Sequence, residues 1–191
     1  MKITPLPASA FQRRPWKNGL GETVIIAAGT QGESWQGVQW SLSRTVIETA
    51  GPFSDFSGYE RWQVVIEGEG LVLETPLGEI NLRQPYHPVR YDGALPVRAR
   101  LEGGKVGVVN LIARTAPFSA SMSILAAGSF VMSPPGIHVL YAPAEDASPV
   151  LAGERFPLRA GDGLRIDSEA PFGISHGGPP LILASVSERG K

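Results

Sequence analysis

The sequence predicts an all-β chain of short antiparallel strands that close into a sandwich or barrel. Three observations carry that prediction. The 191 residues include 23 glycines and 17 prolines, and their scatter cuts the chain into short segments instead of marking one linker. Between these breaks the segments alternate in polarity or run β-branched, as strands do. No window sustains a 3.6-residue apolar period beside good helix caps.

The elements follow in order. Residues 23–28 are a β-branched run, and in 38–47 Val38, Trp40 and Leu42 alternate with Gln39, Ser41 and Ser43. Segments 62–66 and 71–73 flank Glu67-Gly68-Glu69-Gly70, which reads as a hairpin turn. Val97, Ala99 and Leu101 alternate with Arg98, Arg100 and Glu102, the pattern of a sheet with one solvated face. Segments 106–112, 124–132, 137–141, 164–166 and 181–186 continue the series. Gly78-Glu79, Leu82-Arg83 and Arg90-Tyr91-Asp92 recur as Gly153-Glu154, Leu158-Arg159 and Arg165-Ile166-Asp167. The offset stays at about 75 residues, which points to an internal duplication and two small barrels.

Composition narrows the function classes. Hydrophobic residues make up 42% of the chain, which is globular and not disordered. Lys and Arg number 17 against 18 Asp and Glu, a net charge of -1. A general nucleic-acid binder or a polybasic membrane patch needs a basic excess that is missing here. With no cysteine there is no disulfide, thiol nucleophile, iron–sulfur cluster or Cys-containing zinc site. No apolar run is long enough for a membrane helix, and Pro5 and Pro7 interrupt the place of a signal peptide. The expectation is a cytoplasmic protein.

Three segments mix the groups a ligand site needs. Residues 13–23 bring together Lys17, Asn18, Glu22 and Thr23 with Gly19, Gly21 and Trp16. Lysine is a point charge for an anion, and asparagine both donates and accepts. The same stretch also reads as a polar turn leading into the first strand, with Trp16 as its plug. Residues 51–62 place Phe53 and Phe56 in a loop ahead of Arg61 and Trp62. The phenylalanines either seal a barrel mouth or line a pocket. Arg61 is either paired at the surface or aimed inward, where its planar fork suits a carboxylate. In residues 106–114, Asn110 interrupts an apolar strand. Its amide must find partners inside the protein or on a ligand, because an unmet buried amide costs about 1–3 kcal/mol.

His87, His138 and His176 are the only histidines, and none lies within four residues of another. That spacing forms no metal motif, so no metal and no cofactor is expected. Gly68-Glu69-Gly70 and Gly19-Leu20-Gly21 sit beside strands and not ahead of a helix. Their phosphate-loop reading therefore fails.

Taken together, the motifs resemble one family. Trp16-Lys17-Asn18-Gly19 with Gly21 and Thr23 is similar to the W-K-N-G-G-G-x-T signature of the HutD/Ves family. Phe53-Ser54-x-Phe56-x-Gly58 followed by Arg61 resembles its F-S-x-F-x-G-x-x-R. Glu67-Gly68-Glu69-Gly70-Leu71 resembles its x-G-x-G-L turn, and Asn110-Leu111-Ile112-x-Arg114 its N-L-M-x-R. Order and spacing agree across the first 115 residues or so. Leu20 stands where glycine is common, and Ser41 stands where the family often has arginine.

The resemblance implies a bicupin, two fused cupin-like antiparallel β-barrels of the RmlC-like jelly-roll type. The barrels are expected at residues 1–115 and 116–191, packed as one compact unit. It also implies a small-molecule binder tied to histidine utilisation, with formylglutamate or urocanate as the candidate carboxylate ligand. The residues it brings forward are Lys17, Asn18, Thr23, Arg61, Asn110 and Arg114, with Phe53, Phe56 and Trp62 as pocket wall. The H-x-H of metal-dependent cupins is missing. Two rival readings stand beside this one. One is a metal-independent hydrolase or isomerase using Glu22, Tyr59, Glu60 or His87. The other is a homodimer built on Trp35, Trp40 and Trp62.

Overall fold

A computed structural model describes residues 1–16, 21–30 and 37–190. The chain opens with strand β1 (Lys2–Leu6) and a short 3-10 turn at Ala8–Ala10. It then divides into two compact units, Gln12–Phe118 and Met1–Phe11 with Ser119–Lys191.

The first unit contains β2 (Gln12–Pro15), β3 (Glu22–Thr30), β4 (Val38–Ile47), β5 (Gly51–Pro52) and β6 (Tyr59–Glu67). It continues through β7 (Leu71–Thr75), β8 (Gly78–Leu82), β9 (Val89–Asp92), β10 (Arg98–Leu101) and β11 (Val106–Arg114). A six-stranded sheet runs β2-β3-β4-β11-β6-β9, and a four-stranded sheet runs β5-β10-β7-β8. The core between them draws Ile47, Val65, Tyr91, Val106 and Val108 from one sheet and Leu71, Leu73, Leu82 and Ala99 from the other. Burying a large aliphatic side chain in such a core stabilises by about 1.5–3 kcal/mol.

The second unit adds β12 (Phe118–Leu125), β13 (Ser129–Ser133), β14 (Gly136–Tyr141) and β15 (Val150–Leu151). Its remaining strands are β16 (Glu154–Arg155), β17 (Gly163–Ser168), β18 (Phe172–His176) and β19 (Leu181–Glu188). Its sheets run β1-β17-β14-β19-β12 and β13-β18-β15-β16. They enclose a core that includes Leu125, Leu140, Leu151, Leu164, Ile166 and Ile174. The orders β4-β11-β6-β9 and β12-β19-β14-β17 match strand for strand, as do β5-β10-β7-β8 and β13-β18-β15-β16. The sequence repeat falls on equivalent strands, with Gly78 opening β8 and Glu154 opening β16, and Arg90 in β9 and Arg165 in β17.

Three expectations shift. Residues 67–70 do not close a hairpin: β7 pairs with β8 and β10, while β6 pairs with β9 and β11. The turn carries the chain from one sheet to the other, with Gly68 at φ +99 and Gly70 at φ +112. A Cβ on Gly68 would lie 2.5 Å from the Lys105 carbonyl, and one on Gly70 would lie 2.8 Å from the Arg83 Cα. Residues 124–132 form two strands, β12 and β13, broken where Gly128 takes φ +84. The first eleven residues join the later unit and not the first barrel. There β1 covers the edge of β17 from Lys2↔Asp167 to Leu6↔Gly163, giving an otherwise open edge its ladder.

The expected alternation in β10 holds. Ala99 is buried, while Arg98 and Glu102 are exposed and the half-exposed Arg100 pairs with Glu74, Glu79 and Glu102. In β4 the alternation means something else. Ser41, Ser43 and Thr45 are as buried as Trp40 and Leu42, so the polar positions of this strand point into protein and not into water. No helix among the described residues is long and apolar enough to cross a membrane.

Candidate functional site

Side chains on a strand alternate between faces, and directly paired residues share a face. One face of the six-stranded sheet can therefore be read as rows. Arg61 on β6 lies opposite Ile112 on β11, which lies opposite Ser41 on β4, and Tyr91 on β9 flanks Arg61. The next row is Gln63, Asn110 and Ser43. The third is Val65, Val108 and Thr45, with Thr23 beyond Thr45. Val65, Val108 and Tyr91 belong to the barrel core, which identifies this as the inner face.

The first two rows hold unmet hydrogen-bonding groups. Among the described residues of the first unit, the buried side-chain atoms without a partner are Ser41 Oγ, Arg61 Nε, Gln63 Nε2 and Asn110 Oδ1. All four lie on the inner face, in two neighbouring rows. Buried polar groups in folded proteins are nearly always satisfied, so such a cluster needs a physical reason.

Arg61 is the centre of the group. It is 8% exposed, and it forms no ion pair with a carboxylate among the described residues. Its guanidinium carbon lies 5.1 Å from the Phe53 ring centre, 5.0 Å from Phe56 and 5.1 Å from Tyr91. Three ring faces partly offset its desolvation, each at about 0.5–2 kcal/mol. They supply no hydrogen-bond acceptor. Burial pulls the guanidinium below the ordinary arginine value, opposed by the Tyr91 hydroxyl. Burial likewise pushes Tyr91 up to about 12, opposed by Arg61.

The loop carrying the phenylalanines is tied down by its backbone. The Phe53 N–H donates to the Val97 carbonyl at 2.8 Å, the Phe56 N–H to Gly93 at 3.0 Å, and the Gly93 N–H to Tyr59 at 2.8 Å. Asp55 closes the tip, accepting from the Ser57 N–H at 2.8 Å and its hydroxyl at 2.7 Å, and these bonds hold its carboxyl below the usual range. On the inner face the Tyr91 hydroxyl donates to Gln63 Oε1 at 2.9 Å. That bond uses the acceptor end of the amide and leaves Nε2, the donor end, free.

The other expected residues are placed as follows. Thr23 is held in a directed chain. Trp16 Nε1 donates to Thr23 Oγ1 at 3.0 Å, Thr23 bonds Thr45 Oγ1 at 3.2 Å, and Thr45 donates to the Glu22 carbonyl at 2.8 Å. Its hydroxyl hydrogen is therefore committed to Thr45. Arg114 shares the parity of Arg61 but lies exposed at the end of β11, opposite Tyr59. Trp62 is not pocket wall. Alternation turns it to the opposite face, where its Nε1 donates to Glu60 at 2.8 Å. Lys17 and Asn18 lie outside the described residues, as does Trp35. Trp40 is buried on the outer face of β4.

The acid–base candidates are engaged elsewhere. Glu22 pairs with Arg13, and Glu60 is held by Trp62 and Arg90 on the outer face. The Tyr59 hydroxyl donates to the Val38 carbonyl at 2.8 Å, and His87 is exposed. Among the described residues no group of three His, Asp or Glu is arranged to hold a metal ion. His138 and His176 sit in the second unit. His138 bonds Ser185 at 2.8 Å and the Pro134 carbonyl at 2.9 Å. His176 bonds the Pro179 carbonyl at 2.6 Å and leaves Nδ1 buried without a partner.

Gln63 and Tyr91 went unremarked in the sequence. The signal that finds Gln63 is the two-residue strand period counted forward from Arg61. Nothing local marks Tyr91, which reaches the site only through the β6–β9 pairing.

Comparison with known proteins follows from this geometry. The HutD family profile matches residues 8–179. A 21.2 kDa uncharacterised protein from the hutC 3′ region of Pseudomonas putida is 31% identical over 148 residues, covering 78% of this chain and 77% of that one. HutD from Pseudomonas fluorescens SBW25, solved in a formate condition, superposes with a TM-score of 0.83 at 28% identity, covering 99% of this chain and 100% of that one. A conserved protein of unknown function from Pseudomonas aeruginosa PAO1 gives 0.86 at 26% identity over the whole of both chains.

Proposed function

The chain belongs to the HutD family, and on that premise we propose that its first barrel binds a small carboxylate linked to histidine utilisation and thereby tunes that pathway. Formylglutamate and urocanate are the candidate ligands. Arg61 carries the reading: it is a buried guanidinium, stacked on three rings, with no carboxylate partner among the described residues. A ligand carboxylate supplies the missing anion through charge-assisted hydrogen bonds, the strong class. Ser41, Gln63 and Asn110 then meet the rest of the molecule. Lys17 and Asn18, brought forward by the family resemblance, and Arg114 at the end of β11 belong to the same proposal. The family's link to the locus rests on the relative from the hutC 3′ region.

The test is isothermal titration of the whole chain with formylglutamate, urocanate, histidine and glutamate, with NMR following each acid for turnover. One of the two candidate acids is expected to bind unchanged. Arg61→Met is expected to weaken it about 10–100-fold, since a hydrogen bond to a charged group is worth about 1.5–3 kcal/mol. Equal affinity in the variant overturns the site. Product appearing in the NMR tubes overturns a binding-only role.

A further inference from the structure

The two rows of unmet groups differ in charge, and the difference is informative about the ligand. The row of Arg61, Ile112 and Ser41 holds a cation. The row of Gln63, Asn110 and Ser43 is neutral throughout, with a free donor at Gln63 Nε2 and a free acceptor at Asn110 Oδ1. Gln63 and Asn110 are direct cross-strand partners, so their side chains start about 5 Å apart and side by side. The third row carries no charge: Val65 and Val108 belong to the core, and Thr45 and Thr23 bond each other. Successive inward rows are two residues apart along a strand, a rise of about 6.8 Å.

Resting on the carboxylate-binding reading above, we propose that this face selects a monoanion with a neutral planar group at its far end that presents both an acceptor and a donor. Primary amides, lactams and imidazoles have that form. Gln63, held by Tyr91, is the residue that sets the preference. A carboxylate on Arg61 leaves the far end of a short acid one row deeper. There, a C=O or ring nitrogen accepts from Gln63 Nε2, and an N–H donates to Asn110 Oδ1. A second carboxylate at that depth would lose its water, find no cation in the row and meet the lone pairs of Asn110. A methyl end would leave both amides unmet. Sites built to hydrogen-bond a group discriminate strongly against analogues that lack it. Of the two acids named above, urocanate, with one carboxylate and one imidazole, has this form.

The experiment uses the full chain and three acids matched in length: glutaramate, which ends in a primary amide; glutarate, which ends in a carboxylate; and pentanoate, which ends in a methyl. Titration calorimetry at pH 7.5 is expected to rank glutaramate at least tenfold above both others. Gln63→Met, close in size, is expected to bring glutaramate and pentanoate within about twofold of each other. The wild-type ranking stands without the variant, should the variant fold poorly. Glutarate binding as well as glutaramate, with Arg61→Met abolishing both, overturns this preference and leaves the carboxylate site in place. No measurable binding of any of the three at 10 mM overturns the carboxylate site and this preference with it.

Discussion

Replacing Arg61 with methionine separates stability from function, because the two should move in opposite directions. Arg61 is 8% exposed and has no acidic partner among the described residues. Dehydrating an unpaired ion costs several kcal/mol, and replacing buried ionic groups with apolar ones of similar volume often stabilises by about 1–4 kcal/mol. Against this stand three ring contacts at 5.0–5.1 Å. Counted at about 1 kcal/mol each, they total roughly 3 kcal/mol. Methionine keeps part of that, since a thioether beside an aromatic ring gains about 0.3–1.5 kcal/mol. The net expectation for the ligand-free protein is a gain of about 1–3 kcal/mol. For a chain of this length each kcal/mol shifts the midpoint by about 2–4 °C, so calorimetry should show a rise of roughly 2–12 °C. With a binding acid at 100 times its dissociation constant, the wild type gains about 2.7 kcal/mol, and the variant, binding about 10–100-fold more weakly, gains only about 0.4–1.4 kcal/mol. A variant less stable than wild type by more than 1 kcal/mol without ligand would refute the reasoning. It would mean that the guanidinium is already well compensated and needs no anion.

Three further outcomes follow from the same geometry. Burial pushes Tyr91 up to about 12 from an ordinary value of about 10. The unfolded chain therefore loses its proton first, and stability falls as pH rises from about 10 through 12, by about 3 kcal/mol in all. Absorbance titration should show a late tyrosine that Tyr91→Phe removes. Burial holds His138 below its ordinary value, so the unfolded state takes up its proton first and stability falls as pH drops below about 6.5. Melting curves of wild type and His138→Gln at pH 5 and pH 7.5 should show the smaller acid loss in the variant. At Gly93 a Cβ would lie 2.3 Å from the Phe56 carbonyl oxygen and 2.6 Å from that of Tyr59. Gly93→Ala should cost about 1–3 kcal/mol in denaturant melts and, by pushing the Phe56 loop off Arg61, weaken acid binding at least tenfold.

The strands were legible because their signal is local. Alternation and β-branching marked β4, β6, β10 and β11, and the 75-residue echo marked the duplication. What stayed hidden was non-local. Glu67-Gly68-Glu69-Gly70 has every local mark of a hairpin, yet it changes sheets, because β7 finds its partners in β8 and β10. The first strand completes a sheet whose other strands begin more than a hundred residues later. Within the site, Arg61, Phe53 and Phe56 were readable from their motif, and the structure stacks them together. Trp62 was misplaced because adjacency in sequence is opposition in a strand. Ser41 and Ser43 were legible only as the polar half of an alternation, and the pairing with β11 places them on the inner face.

The duplicated barrels offer an internal control on what unmet polar atoms mean. Both interiors carry polar residues at matching strands: Arg61 and Gln63 on β6, His138 on the equivalent β14, Asn110 on β11 and Ser185 on the equivalent β19. In the second unit these groups satisfy one another. His138 spends one nitrogen on Ser185 and the other on the Pro134 carbonyl, Ser119 bonds Ser187 at 2.8 Å, and Ser168 donates to the Ala170 carbonyl at 2.7 Å. One buried acceptor, His176 Nδ1, is left over. In the first unit the same fold leaves a cation, a donor, an acceptor and a hydroxyl unmet on one face. The scaffold is therefore able to close its polar interior without help, and the cost of leaving the first interior open, about 1–3 kcal/mol for each unmet group, is not a cost the fold imposes. Among the described residues nothing offsets it, and the small acid proposed above would do so through the charge and order of these groups.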